Sequence, residues 1–142
     1  MNSALNIGME HTFSFTVPQS KTVANLYPES PEFQHMPEVL ATGFMVGFIE
    51  WTCIQAINPS IDWPNEQTVG IHVNVSHSSP TPPGMEITAH VVLKNIKGKR
   101  LLFDVVASDE EGEIGRGTHE RFIINAGKFN EKVLIKKQSI SS

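Results

Sequence analysis

Residues 38–57, EVLATGFMVGFIEWTCIQAI, constrain the fold of this chain more than any other stretch. Their apolar residues fall nearly all round the helix they would form, not on one stripe, and such a helix has to be surrounded. Thr42, Gly43, Gly47, Glu50, Thr52 and Gln55 interrupt the run, which fits a protein core better than lipid. Asn58-Pro59-Ser60 follows. The spacing predicts that the helix ends there, because a proline disfavours the helical conformation of the residue before it.

The surroundings of the helix are written in a period of two. HTFSFTV (11–17) sets Phe13, Phe15 and Val17 against Thr12, Ser14 and Thr16, the pattern of a half-buried strand. In YPESPEFQHMPE (27–38), Ser30 ahead of Pro31 and Glu32 predicts a short capped helical turn within a structured loop. VGIHVNVSH (69–77) places Val69, Ile71, Val73, Val75 and His77 on one face, and SSPTPPG breaks it. MEITAHVVLKNI and RLLFDVVAS pair through KGKR, and DEEGE turns the chain into IGRGTHERFIIN. One long helix wrapped by an antiparallel sheet of about five strands is an α+β arrangement. It is the hot-dog fold. The last stretch, from about residue 126, reads as a partly ordered extension that frays at its polar end.

A chain of 142 residues is expected to make a single domain, residues 1–142, able to bury about two thirds of its unfolded surface. The formal net charge of -4 argues against nucleic acid as a partner, since a phosphate backbone asks for a basic face. The single Cys53 excludes an internal disulfide. MNSALNIGMEHTF has neither the basic nor the apolar region of a secretory leader. The expected location is the cytoplasm, without membrane contact.

Glu50 is the main chemical anomaly. Phe48, Ile49 and Trp51 beside it imply burial, and a buried carboxylate without a partner is costly or becomes protonated. It is either a functional group or one satisfied by a structural partner or by the solvent edge. Thr42 reads first as a helix cap. The eight residues between the two correspond to about 12 Å along a regular helix and about 80° around it, too far to share one small group. A symmetric dimer with antiparallel helices removes the difficulty, because its two-fold axis brings one helix start near the other helix's middle.

His77 continues the apolar face of its strand; facing a buried Glu it would make an acid/base pair. His11, His35, His72, His90 and His119 lack metal-ligand spacing and read as surface or loop residues. Arg121 shares a face with His119 and Ile123, as an ion-pair partner on the sheet. Gly43 and Gly47, each roughly 1 kcal/mol unfavourable relative to Ala in a helix, admit either close sheet packing or the approach of a second chain or substrate. No Gly-rich phosphate loop, G-x-S-x-G elbow or paired-Cys motif occurs.

Five ordered runs, TVANLYPESPEF, PEVLATGFMVGFIEW, HSSPTPPG, EIGRGTHER and KFNEKV, resemble the hot-dog thioesterases of the fluoroacetyl-coenzyme A thioesterase type. The resemblance extends from about residue 11 to about residue 135. It implies hydrolysis of a short acyl-coenzyme A by a homodimer with the site at its interface, and no metal or other cofactor. It further implies catalytic roles for Thr42, Glu50 and His77, with Gly70 and Arg121 beside the acyl group and Val23, Leu26 and Phe33 lining its pocket. Met36 stands where the fluoroacetyl-specific member carries a second lid Phe, and a flexible thioether implies a broader set of short acyl groups. The phosphates of coenzyme A have candidate partners in KGKR (97–100) and in Lys128, Lys132, Lys136 and Lys137, which otherwise form a solvated turn and tail. Two other readings of the same fold are a non-catalytic acyl-coenzyme A binding protein and an enoyl thioester hydratase; INPSID only partly echoes the Asp-x-Asn-Pro-x-x-His run associated with the latter.

Overall fold

In the computed structural model the long helix, α1, spans Thr42–Ile57. The structure describes residues 5–141; residues 1–4, on which the reading of an absent leader partly rests, and Ser142 lie outside them. Strands β1 (Glu10–Thr16), β2 (Glu66–Val75), β3 (Glu86–Lys97), β4 (Arg100–Asp109) and β5 (Gly112–Asn125) form one antiparallel sheet in the order β1-β3-β4-β5-β2. A second helix, α2, follows at Ala126–Ser141. The predicted α+β arrangement of one helix against five antiparallel strands is therefore present.

The core follows the two periods of the sequence. Ile87, Ala89, Val91 and Leu93 of β3 and Leu101, Phe103, Val105 and Ala107 of β4 alternate inward and meet Met45, Ile49, Cys53 and Ile57, one helical turn apart on α1. Each large side chain buried there stabilises the fold by about 1.5–3 kcal/mol. Phe13 and Phe15 of β1 complete the layer, with the Phe13 ring 4.6 Å from Trp51 in an edge contact.

Four local expectations are altered by the tertiary structure. Asn58 keeps helical angles, φ -53° and ψ -37°. The chain passes into a 3₁₀ turn at Asn58–Ser60, so Pro59 stops α1 by lacking an N–H, not by extending its predecessor. The face proposed for β2 is interrupted by a bulge between Gly70 and His72. Before the bulge Thr68 and Gly70 share the side of Arg121, and after it Val73 shares that of His119. The sheet wraps one side of α1, and on the other Gly43, Gly47 and Trp51 face outward, Trp51 at 45% exposure. A Cβ at Gly47 would meet nothing within 4 Å, and one at Gly43 would touch Leu26 Cδ1 at 3.0 Å, so sheet packing accounts for neither glycine. Finally, the stretch from 126 is helical, its start held by a hydrogen bond from Lys128 N to Asn125 Oδ1 at 3.0 Å.

Before α1, short 3₁₀ turns at Gln19–Lys21, Val23–Asn25 and Phe33–His35 build the loop. Ser30 Oγ accepts from Phe33 N at 3.0 Å, the capping bond its position predicts.

Candidate active site

Two polar groups sit at different heights on α1. The first is at its start. Backbone bonds from Ala41 N to Lys21 O (3.1 Å), Val23 N to Val39 O (3.1 Å) and Leu40 N to Thr81 O (2.8 Å) fix the approach to the helix. Opposite, Ser76 N and Ser78 N donate to Arg116 O and Ile114 O of β5 at 2.9 and 2.7 Å. A Cβ at Gly115 would run into the Ser76 carbonyl, so that glycine is what lets the two segments lie so close.

His77, held between these ties, forms a hydrogen bond through Nδ1 with Thr42 Oγ1 at 2.6 Å. Thr42 is thus the first helical residue with its hydroxyl committed to His77. Ala41 occupies the cap position and no side chain caps the helix, which replaces the capping role read from sequence. Nε2 of His77 is inaccessible and has no hydrogen-bond partner among the described residues. Burial lowers the pKa of this ring below the ordinary histidine value, with a backbone group of Ser79 opposing the shift. Such a ring is neutral at neutral pH and free to accept a proton during a reaction. Beside it lies a cavity of about 290 Å³ lined by Val23, Val39, Leu40, Thr42, His77 and Pro80.

The second group surrounds Glu50. Arg121 of β5 donates through Nη1 to Glu50 Oε2 at 2.8 Å, through Nε to Thr68 Oγ1 at 2.8 Å and through Nη2 to Thr68 O at 2.8 Å. Its side chain is 4% exposed and that of Glu50 37%. A cation thus lies under the sheet while the carboxylate faces the open side. Gly70 completes the contact: a Cβ there would stand 2.6 Å from Glu50 Oε2. Only a glycine lets the carboxylate lie against β2.

His119, read from sequence as a surface or loop residue, is in fact buried, at 1% exposure. Its Nε2 accepts from Arg121 Nη1 at 3.1 Å and its Nδ1 donates to His72 O at 2.8 Å. An arginine always donates, so Nε2 must be the acceptor and Nδ1 carries the proton. Burial foremost, and the Arg121 charge, hold its pKa below the usual value against the opposing His72 carbonyl, Glu50 and Glu120. The signal that could have found it is the period-two alternation that puts His119 beside Arg121 on one face. Thr68, which carries two of the arginine's bonds, has no comparable signal in the sequence.

Thr42 and His77 are therefore brought together, as are Glu50, Gly70 and Arg121. His77 does not meet Glu50 within the chain: its bonded partner is Thr42. Leu26 rests on α1 at Gly43. Phe33 packs near Tyr27, ring centroids 6.1 Å apart, and Met36 stands 53% exposed at the end of the same loop. Cys53 lies near Arg121 and Glu50, but burial pushes its thiol up to about 12, so it stays protonated and is no nucleophile.

The family model described as fluoroacetyl-CoA-specific thioesterase matches residues 17–127. A fluoroacetyl-CoA thioesterase of Streptantibioticus cattleyicolor is 47% identical over 133 residues, 94% of this chain and 95% of that protein. A solved structure of the fluoroacetyl-CoA thioesterase FlK superposes with a TM-score of 0.92 at 47% identity, covering 94% of this chain and 98% of that one. A Thermus thermophilus hypothetical protein described as a thioesterase superfamily member superposes with a TM-score of 0.79 at 27% identity, covering 96% of each chain.

Proposed function

The chain belongs to the fluoroacetyl-CoA-specific thioesterase family and is accordingly an acyl-CoA thioester hydrolase; from that premise we propose that it cleaves short acyl-CoA esters to the free acid and coenzyme A, as a homodimer in the cytoplasm. The observation that carries the reading is the division of the polar groups. The histidine bonded to Thr42 and the Arg121 bonded to the Glu50 carboxylate meet one helix at separate heights. Each is half of a hydrolytic site, and a two-fold axis that opposes the helices joins one chain's Thr42 and His77 to the other's Glu50 and Arg121.

In this reading Glu50 works on the attacking side, either adding to the thioester carbonyl or activating water. His77 moves protons, Thr42 orients its ring, and Gly70 and Arg121 sit beside the acyl group. Thiolates leave readily, with a thiol pKa of roughly 8.5, so attack and charge stabilisation are the demanding steps. Val23, Leu26 and Phe33 line the acyl pocket, and the exposed thioether of Met36 closes it loosely, giving a broader acyl range than a rigid ring would.

The test is thiol release over a panel of acetyl-, fluoroacetyl-, propionyl- and butyryl-CoA. Turnover of several panel members is expected, with Glu50→Gln and His77→Ala each slower by at least about a hundredfold while circular dichroism stays unchanged. Near-normal turnover in either variant would remove that residue from the mechanism. A single turnover in heavy-oxygen water then separates the two routes, since label enters Glu50 only if its carboxylate attacks and the resulting anhydride is hydrolysed at the enzyme carbonyl.

A further inference from the structure

A buried guanidinium needs acceptors for the N–H groups it carries into the protein. Among the described residues Arg121 is bonded to one carboxylate, that of Glu50. Its other acceptors are uncharged. The edge formed by Nε and Nη2 is taken by Thr68 alone, through Oγ1 and through the carbonyl of the same residue, each at 2.8 Å. Nη1 then divides its two hydrogens between Glu50 Oε2 at 2.8 Å and His119 Nε2 at 3.1 Å. With one edge fixed by Thr68 and one Nη1 hydrogen by His119, the guanidinium has a single orientation, and its remaining Nη1 hydrogen is aimed at the carboxylate. The groups converge on one point of β2. A Cβ at Gly70 would stand 2.6 Å from Glu50 Oε2, 3.3 Å from Arg121 Nη1 and 3.3 Å from His119 Cε1. The acceptor face of His119 is itself set by the chain, since Nδ1 donates to His72 O at 2.8 Å, beside the bulge that follows Gly70.

We propose that His119 and Thr68 are positioning residues of the enzyme: they act through Arg121, holding its Nη1 against Glu50 without neutralising its charge. The inference deepens the hydrolase reading and rests on it. An uncharged acceptor fixes the cation and leaves its field available where charge develops, whereas a carboxylate at either position would fix it and cancel that field. Both residues are buried and neither reaches the reacting atoms. Each matters because a guanidinium free to swing would meet Glu50 over a range of positions, and small misplacements in a reacting group cost rate.

The experiment compares Thr68→Val, which keeps the shape and loses the hydroxyl acceptor, and His119→Leu, which loses the ring acceptor, with the conservative Thr68→Ser and His119→Gln. In the last of these the amide oxygen can still accept from Nη1. With a hydrolysed acyl-CoA, kcat should fall by at least about tenfold in Thr68→Val and in His119→Leu while KM changes little, the pattern of groups that act in the transition state. Thr68→Ser and His119→Gln should stay within about threefold of wild type. Full kcat in Thr68→Val or in His119→Leu removes that residue from the assignment. Nuclear magnetic resonance of nitrogen-15-labelled protein gives a readout that does not depend on turnover. The two Nη1 hydrogens of Arg121 should give separate signals in the wild type and a merged one in Thr68→Val and His119→Leu. A merged signal in the wild type overturns the clamp whatever the rates, and it decides the matter for His119 should His119→Leu not fold. Separate signals in a wild type that hydrolyses no acyl-CoA of the panel leave the clamp standing and remove the hydrolase reading.

Discussion

At the scale of single residues the site depends on groups held in one protonation state. His119 is the clearest case, since the Arg121 donor at 3.1 Å and the His72 carbonyl at 2.8 Å together require the neutral ring. A histidine with a lowered folded pKa resists a proton that the unfolded chain accepts below about 6.5. Its stabilising effect is therefore complete above that pH and is lost progressively as the pH falls from there through the lower pKa of the folded state. His77 shifts in the same direction and adds to the slope. Urea denaturation between pH 5 and 7 should show stability falling on acidification. In His119→Gln the slope should be flatter by up to about 1.4 kcal/mol per pH unit, and an unchanged slope would mean that His119 takes up its proton without penalty. The carboxylate at position 50 was legible as an anomaly from its apolar neighbours. Its partner was not, because a pairing 71 residues apart leaves no local trace.

At the scale of elements the decisive contact is between the middle of α1 and the middle of β2. The bulge between Gly70 and His72 changes which residues of β2 face inward, and Gly70 leaves the gap into which Glu50 extends. Gly70→Ala places a methyl group 2.6 Å from Glu50 Oε2, so either the carboxylate or the strand must shift. Turnover should fall by at least about tenfold, as expected when a reacting group is misplaced by a fraction of an ångström. The thermal midpoint should move little, because Glu50 lies on the open side. Full activity in that variant would show that the close approach has no catalytic use. The alternation in VGIHVNVSH identified β2 but not its bulge, since an inserted residue is set by pairing with β5 and not by the strand's own pattern.

At the scale of the whole molecule, the proposed dimer bears on the exposed edge of the sheet. β2 is a ten-residue edge strand with Ile71 and Val73 both 43% exposed, and long apolar edges are normally covered. If each site combines His77 of one chain with Glu50 of the other, two inactive variants should rescue each other. Unfolding and refolding Glu50→Gln together with His77→Ala in equal amounts gives half heterodimers, each with one intact site of two, and so about a quarter of wild-type activity. No recovery, with heterodimers demonstrated by mass, would place the complete site within one chain.

The sequence by itself determined α1 and the five strands and marked Glu50 as a chemical anomaly. The all-round apolar helix, the period of two in the strands and the carboxylate among apolar neighbours are local patterns, and backbone geometry converts such patterns into local structure, whereas the expected roles of Thr42 and His77 came from the family resemblance. The tertiary structure alone decided the partners: His77 with Thr42, Glu50 with Arg121, and a buried neutral His119 in place of a surface one. Those pairings depend on register, on a bulge and on how closely Gly70 and Gly115 let backbones approach. All of these are set by contacts between segments far apart in the chain, so no stretch of sequence read alone contains them.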